Sequence, residues 1–333
     1  MNPSTDPFVL DALQQRGVLV SVHVRYWRGR KKLKPEDLGL DPEAIDNDLI
    51  ALGQKRLVTK EALQPFSLIE GRAHALVESA SFPFLRVARY VPNERLAELT
   101  ARLDELKRDF ESEVGEFVAN YSRLRAEALD AWRGAAASLG VEPNRLLRTI
   151  EDAFPINVSD RFGFEHHLFQ VSAPKEISTA AFDLALNEEV RMARRRAANA
   201  ASREIRASAE SFVADSVGAL RAETAKLCED VLATLRGGTV NQKTLKRLDR
   251  FVERFRSLNF VGDDEMERKL EEFRAEFLEL GAGEYRKDAA ARFGLVEGIS
   301  KLRSEATRLA AQDAGEMVSR FGQVGRRKFG RAG

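Results

Sequence analysis

The stretch that decides the fold is Asn93–Leu139, NERLAELTARLDELKRDFESEVGEFVANYSRLRAEALDAWRGAAASL. Its apolar residues recur in steps of 3, 4, 3, 4 and 4, and this series of steps then begins again. The average step is that of an α-helix, so the pattern predicts one nearly straight helix, roughly 70 Å long, and not a supercoiled heptad. A stripe of this length needs an extended helical surface to cover it. The stripe consists of Leu96, Leu99, Leu103, Leu106, Phe110, Val114, Phe117, Tyr121, Leu124, Ala128, Trp132, Ala135 and Leu139.

A second long helix is predicted for residues 175–235, opened by Pro174 and stopped by Gly237 and Gly238. Residues 155–173 lie between the two helices and predict a short β-containing tip. The simplest arrangement of residues 93–238 is therefore a long antiparallel helical hairpin, coiled-coil-like in its packing. Pairing of the two stripes between two chains, which would make a homo-oligomer, stays open at this point.

The residues before this hairpin predict a small α+β head, residues 1–92. Val18 to Trp27 alternates apolar and polar residues with the period of a half-buried strand. Residues 61–79 have the pattern of a helix, and Phe84 to Val91 that of a second strand. After the hairpin, residues 239–321 predict C-terminal helices that pack on the bundle, and the Gly-rich, basic residues 322–333 predict a disordered tail. The fold class expected is mainly α with a small α+β head.

Composition narrows the classes of function. Lys and Arg number 53 against 52 Asp and Glu, a net charge of +1, which argues against a protein that coats DNA through bulk positive charge. The single cysteine, Cys228, is expected to be a buried structural thiol. The first residues lack the pattern of a secretory signal and no stretch is apolar enough for a membrane span, so a cytoplasmic protein without a membrane partner is expected.

The sequence contains none of the local motifs that mark common catalytic sites. His166 and His167 are adjacent and would face opposite sides of a strand, so they are not expected to hold one metal ion together. We therefore predict no catalytic, cofactor-binding or metal-binding residue, and a protein that is not an enzyme. An enzyme is the least favoured alternative.

A basic segment beside two aromatic residues is the candidate binding surface. We predict that Trp27, Arg28, Arg30, Lys31 and Lys32 dock a partner. A protein partner is favoured, and nucleic acid is the alternative because basic residues beside aromatic rings bind phosphates and stack on bases. A solvated turn without a partner is the third interpretation. A second basic cluster is expected on the exterior of the second long helix: Arg191, Arg194, Arg195, Arg196, Arg203 and Arg206.

The same segment carries a resemblance to a known family. The run Tyr26 to Leu33, YWRGRKKL, followed by Pro35 to Gly39, PEDLG, and then by Gly53, Lys55 and Arg56, is similar to an uncharacterised bacterial and phage family catalogued as domain of unknown function 3150. The resemblance implies no assigned activity and no catalytic residues. Family members occur on phages, plasmids and integrated elements, near a MoxR-like AAA+ ATPase and a protein with a von Willebrand factor A domain. It therefore implies an adaptor of a mobile-element or phage system that works with those two proteins.

Overall fold

The computed structural model describes residues 8–38, 40–41, 52–139, 143–172, 188–236, 240–312 and 314–326. The protein is mainly α-helical with a small antiparallel sheet, as the sequence predicts. The chain divides into two compact units. The first unit contains Met1–Val20, Ala80–Ala97 and Leu168–Gly333, and the second contains Ser21–Ser79 and Glu98–His167. Each unit contains residues from before and after position 92, where we placed the end of the head. Patterns in consecutive residues do not predict such an arrangement.

The elements before the long helix include the strand and the helix predicted at Val18–Trp27 and 61–79, together with elements that were not predicted. They are α1 (Val9–Arg16), β1 (Gly17–Arg25), β2 (Arg30–Lys32), a 3-10 turn (Pro35–Leu38), β3 (Gln54–Arg56), α2 (Lys60–Ser79), β4 (Phe82–Phe84) and β5 (Ala88–Pro92). The larger sheet has the strand order β4-β5-β1-β6, where β6 is Gly163–Phe169, and β2 and β3 form a separate two-stranded ribbon. In the first unit, β5 pairs antiparallel with β1, with Val18 opposite Val91, and with β4, with Phe84 opposite Ala88.

The long helix α3 runs without interruption through Asn93–Leu139, as predicted. Its stripe is covered inside the second unit, where Leu99, Leu103, Phe110 and Phe117 are buried. Phe66 of α2 contacts the rings of Phe110 and Phe117 at 5.5 and 5.8 Å between centroids. The later positions of the stripe pack beside α4 (Pro143–Glu151). Several shorter elements therefore cover the stripe, where we expected one helix of equal length.

The second long helix, α5, is described from Glu188 to Arg236 and confirms that part of the prediction. Its predicted start at Pro174 and its stop at Gly237 and Gly238 lie outside the described residues. Within the first unit, α5 packs chiefly on α9, and α1 packs on α10. The remaining elements are α6 (Gln242–Leu258), α7 (Asp264–Phe273) with a π-helical turn (Arg274–Leu278), α8 (Ala282–Lys287), α9 (Ala289–Ala310) and α10 (Gly315–Arg326).

Two local predictions differ from the structure, and the structure adds detail to a third. The predicted strand Phe84 to Val91 is two strands joined by a turn at residues 85–87. The tip at 155–173 contains a 3-10 turn (Ser159–Arg161) and one strand, β6, which lies beside β1, and residue 173 lies outside the described residues. Residues 322–326 belong to α10, so only 327–333 of the predicted tail fall outside the description.

The glycines of α10 explain why residues 322–326 were wrongly predicted to belong to a disordered tail. A Cβ atom at Gly325 would lie 2.3 Å from the carbonyl oxygen of Phe8, so glycine allows α10 to approach the start of α1 closely. Phe321, one turn earlier, is buried in the core of the first unit. The glycines therefore permit packing, although their composition was read as a sign of disorder.

Candidate partner-binding groove

The basic segment of the sequence forms part of the two-stranded ribbon in the second unit. Arg30 lies opposite Arg56, Lys31 opposite Lys55 and Lys32 opposite Gln54. The ladder continues at both ends, where Leu57 N–H donates to the carbonyl of Gly29 (2.7 Å) and Leu33 N–H donates to that of Gly53 (3.1 Å). Five of the six residues in the ribbon are therefore cationic, which concentrates positive charge on a chain whose total charge is close to zero.

Two features fix the ribbon in place. Gly29 has φ of +56°, a conformation that favours glycine, and a Cβ atom there would lie 2.7 Å from Cγ2 of Val58. Lys55 forms a buried ion pair with Asp37, with 2.6 Å between Nζ and Oδ2. The same carboxylate accepts the backbone N–H of Lys34 at 2.8 Å. The ion pair thus ties the 3-10 turn to β3, while the bond from Lys34 closes the start of the turn just after β2.

A groove of about 560 Å³ lies along one face of the ribbon and the start of α2. Its described lining contains four cationic side chains and no carboxylate, with the amides and hydroxyls of Gln54, Gln64, Thr59 and Ser67 between them. Such a set of donors binds an anionic group. The cationic side chains are those of Arg28, Arg30, Arg56 and Lys60.

Arg30 and Arg56 are the pair that most clearly lacks a counter-charge. They are direct cross-strand neighbours, a position where like charges destabilise a sheet. Within the described part of the chain, neither guanidinium has a carboxylate within ion-pair distance. Both side chains are exposed to solvent. A bound anion would relieve the repulsion between them, which makes this pair the centre of the candidate site.

Arg28 is held at the edge of the groove by α2. Its guanidinium donates to both carboxylate oxygens of Glu70, at 3.2 and 2.9 Å, and lies 3.9 Å from the centroid of the Tyr26 ring. The hydrogen bonds that Arg28 donates to the Glu70 carboxylate raise the pKa of Arg28. Because Glu70 already compensates its charge, Arg28 shapes the groove more than it attracts a ligand.

Trp27 does not belong to the exposed surface. Its ring packs against Phe117, Tyr121 and Phe154 at centroid distances of 6.2, 5.9 and 5.7 Å, and it is half-buried. Of the five residues predicted to dock a partner, the structure thus brings Arg28, Arg30, Lys31 and Lys32 to the surface and places Trp27 in the aromatic core. Through these ring contacts, Trp27 anchors the basic segment to the aromatic core of the second unit.

Sequence reasoning missed the residues that complete the groove from β3 and α2. Arg56 entered only through the family resemblance, and Lys60 was not singled out. The local signal was Gly53 followed by Gln54, Lys55 and Arg56, a second basic segment after a glycine. Without the pairing of β2 with β3, nothing in the sequence places this segment beside the first one.

The two adjacent histidines and the arginines of α5 were the other residues singled out in the sequence. His166 Nε2 lies 3.7 Å from a carboxylate oxygen of Asp104, and His167 Nε2 lies 3.4 Å from one of Glu165. No group of three or more metal-ligand side chains occurs among the residues that the structure describes. In the arginine cluster of α5, Arg206 is half-buried and the side chain of Arg191 is not described; the other members are exposed, namely Arg194, Arg195, Arg196 and Arg203.

Comparison with known proteins gives one match. None of the described helices is both long and apolar enough to cross a lipid bilayer. Searches of curated proteins and of solved structures each found no match. The model of the family described as Protein of unknown function (DUF3150) matches residues 14–279, which include the whole ribbon and its groove. The chain belongs to this family.

Proposed function

We propose that this protein is a non-catalytic interaction protein whose groove docks an acidic segment of a partner protein. The observation that carries the proposal is the cross-strand pair Arg30 and Arg56 in a groove whose described lining contains no carboxylate. Arginine binds carboxylates with two parallel hydrogen bonds, so two arginines on one face suit a segment with two or more acidic residues.

The aromatic residues favour a protein partner over a single-stranded nucleic acid. Proteins that bind single strands usually combine cations with exposed rings on which bases stack. Here Trp27 is packed against three other rings, and the guanidinium of Arg28 covers Tyr26. The groove therefore offers positive charge and hydrogen-bond donors. The rings of Trp27 and Tyr26 already pack against other side chains, so their faces are not open for bases to stack on.

The family resemblance suggests which partner to test. We propose that the protein is an adaptor in a mobile-element or phage system, and that it works with a MoxR-like AAA+ ATPase and a protein with a von Willebrand factor A domain. In this proposal, the groove holds an acidic segment of one of these proteins and the rest of the chain presents a substrate.

Co-purification tests this proposal. The full chain would be co-expressed with the MoxR-like ATPase and the von Willebrand factor A protein, as wild type and as Arg30→Glu with Arg56→Glu. We expect the wild type to retain a partner and the variant to lose it. The matched control is Arg72→Glu with Arg161→Glu, which makes the same change of charge at exposed positions of the same unit. Undiminished capture by the folded groove variant would overturn the proposal.

Nucleic acid is the second candidate, because phosphates bind the same arginines. A gel shift with duplex and single-stranded DNA and RNA tests it. If phosphate contacts dominate, the logarithm of the affinity falls linearly with the logarithm of the salt concentration. The absence of any shift at low salt would remove this candidate.

A further inference from the structure

The hydrogen-bonding pattern of the ribbon leaves one edge of β2 open. In an antiparallel pair, opposite residues alternate between bonded and non-bonded positions. Gly29 with Leu57 and Leu33 with Gly53 are bonded positions, and the register places Lys31 with Lys55 between them. Arg30 and Lys32 therefore direct their backbone N–H and C=O groups away from β3.

The two outer edges of the ribbon are not equivalent. On β3, the outward carbonyl of Arg56 accepts the indole N–H of Trp132 at 2.8 Å. On β2, the outward backbone groups of Arg30 and Lys32 have no hydrogen-bond partner in the described chain, and both residues are exposed. The open edge is thus the one that carries the basic sequence Arg30-Lys31-Lys32.

The charge of this edge selects what can pair with it. Lysines on an edge strand prevent pairing with another copy of the same strand, because like charges would face each other. The same side chains attract an acidic strand. Arg30 lines the groove, and alternation along the strand puts Lys32 on the same face. An added strand would place every second side chain over that face.

We propose that the acidic segment binds as a third, antiparallel strand along the outer edge of β2. This inference rests on the proposed function and specifies its mode of recognition. The partner's backbone bonds with Arg30 and Lys32, and its acidic residues, at alternate positions, face Arg30, Arg56 and Lys32. Backbone bonds give such a complex its affinity and the alternate side chains give it specificity. The footprint is short, because β2 spans only about 10 Å.

The geometry predicts which backbone atoms of the partner matter. In an antiparallel pair, a residue opposite Arg30 or Lys32 has its side chain on the same face and its N–H directed at β2. Acidic residues therefore provide both the charge and the backbone bonds, and the residues between them direct their N–H groups to solvent.

Synthetic peptides of alternating glutamate and threonine test this mode with the full chain. Fluorescence anisotropy would compare the unmodified peptide with one methylated on the glutamate backbone nitrogens and one methylated on the threonine nitrogens. We expect glutamate methylation to weaken binding by about tenfold or more, as the loss of two or more hydrogen bonds implies, and threonine methylation to leave it unchanged. All three peptides carry the same charge.

Two variants of this protein test whether the backbone N–H of Lys32 on the open edge of β2 contributes to binding. Lys32→Pro removes the outward N–H without touching the bonded positions of the ribbon, and edge strands tolerate proline there. Lys32→Gln removes the same charge and keeps the N–H. We expect the proline variant to bind more weakly than the glutamine variant, with unchanged circular dichroism for both.

The outcomes distinguish failure of the strand mode from failure of the proposed docking of acidic segments. If both methylated peptides bind as well as the unmodified one, and Arg30→Glu with Arg56→Glu abolishes binding of all three, the strand mode is wrong and the groove remains. If none of the peptides binds even at low salt, the docking of acidic segments is wrong as well, and the strand mode falls with it.

Discussion

A single buried ion pair holds the candidate groove in shape. The side chains of Lys55 and Asp37 are 3% and 4% exposed, and their charges lie 2.6 Å apart. Lys55 sits in the middle of β3, between Gln54 and Arg56, which both line the groove. Because Lys55 faces the interior, its neighbours on the strand face the groove. The pair thus fixes which side of the ribbon is presented to a ligand.

Removal of one partner of this pair should destabilise the second unit. We expect Lys55→Met to lower the free energy of unfolding by about 3–5 kcal/mol, because Asp37 would be left as a buried, unpaired charge. Urea unfolding followed by tryptophan fluorescence measures this directly, since both tryptophans, Trp27 and Trp132, lie in the second unit. Adding Asp37→Leu should recover much of the loss. A single variant as stable as wild type would contradict the role of the pair.

The single cysteine provides a test of burial in the first unit. Desolvation raises the pKa of Cys228 to about 12 from its ordinary 9.0. A raised pKa in the folded state means that this group leaves stability unaffected below about pH 9 and lowers it as the pH rises towards 12. A thiol reagent at pH 8 should therefore label the native protein slowly and the urea-unfolded protein quickly. Equal rates would contradict the buried, protonated thiol.

At the scale of one residue, the sequence identified the basic segment but not which way each side chain faces. The alternation of β1 continues past the end of the strand to Tyr26, which is buried, so it assigns Trp27 to the outward side. The ring of Trp27 is nevertheless covered by Phe117, Tyr121 and Phe154, which come from later parts of the chain. The pattern of a single strand does not record such contacts, which explains why an aromatic core residue was expected on the surface.

At the scale of elements, periodicity predicted α2 and α3 well because each buries one continuous face. The turn between β4 and β5 was missed for a definite reason. Leu85 and Arg86 have φ of 48° and 58°, the left-handed conformation of a tight hairpin turn in which Asn and Gly are usual. Leu and Arg give no turn signal, so the sequence reads as one strand.

Replacement of the two turn residues should stabilise the first unit. Replacement of Leu85-Arg86 by Asn-Gly removes the strain of two left-handed side chains, and Leu85 is 46% exposed, so little packing is lost. We expect the free energy of unfolding of the first unit to rise by about 1–2 kcal/mol. Urea unfolding followed by circular dichroism measures the change. A loss of stability would show that Leu85 or Arg86 makes contacts that outweigh its strain.

At the scale of the whole molecule, each unit is assembled from chain segments far apart in sequence. Such pairings as β1 with β5 depend on contacts that no local pattern records. The first unit also has a buried polar centre that the sequence did not indicate. Arg221 of α5 donates to Asp263 (2.6 Å), to the carbonyl of Leu309 (2.7 Å) and to the sulfur of Met317 (3.2 Å). One guanidinium thereby joins α5, the start of α7, α9 and α10.

Loss of this guanidinium should loosen the whole first unit. Arg221→Met leaves Asp263 buried without its partner, and we expect it to cost about 3–5 kcal/mol of stability. Arg250→Met, at an exposed position of α6, is the matched control and should change stability by less than about 0.5 kcal/mol. The circular dichroism transition in urea should shift for the first variant alone. Equal midpoints for both variants would contradict a central role for Arg221.

The central claim is that the groove beside β2 and β3 is where this protein meets an acidic partner. Amide hydrogen exchange of the full chain, with and without the alternating glutamate and threonine peptide, tests that claim most directly. We predict slower exchange in segments that cover 26–34 and 54–60, and no such protection in Arg30→Glu with Arg56→Glu. Protection confined to other segments, or protection that persists in the variant, would contradict the account.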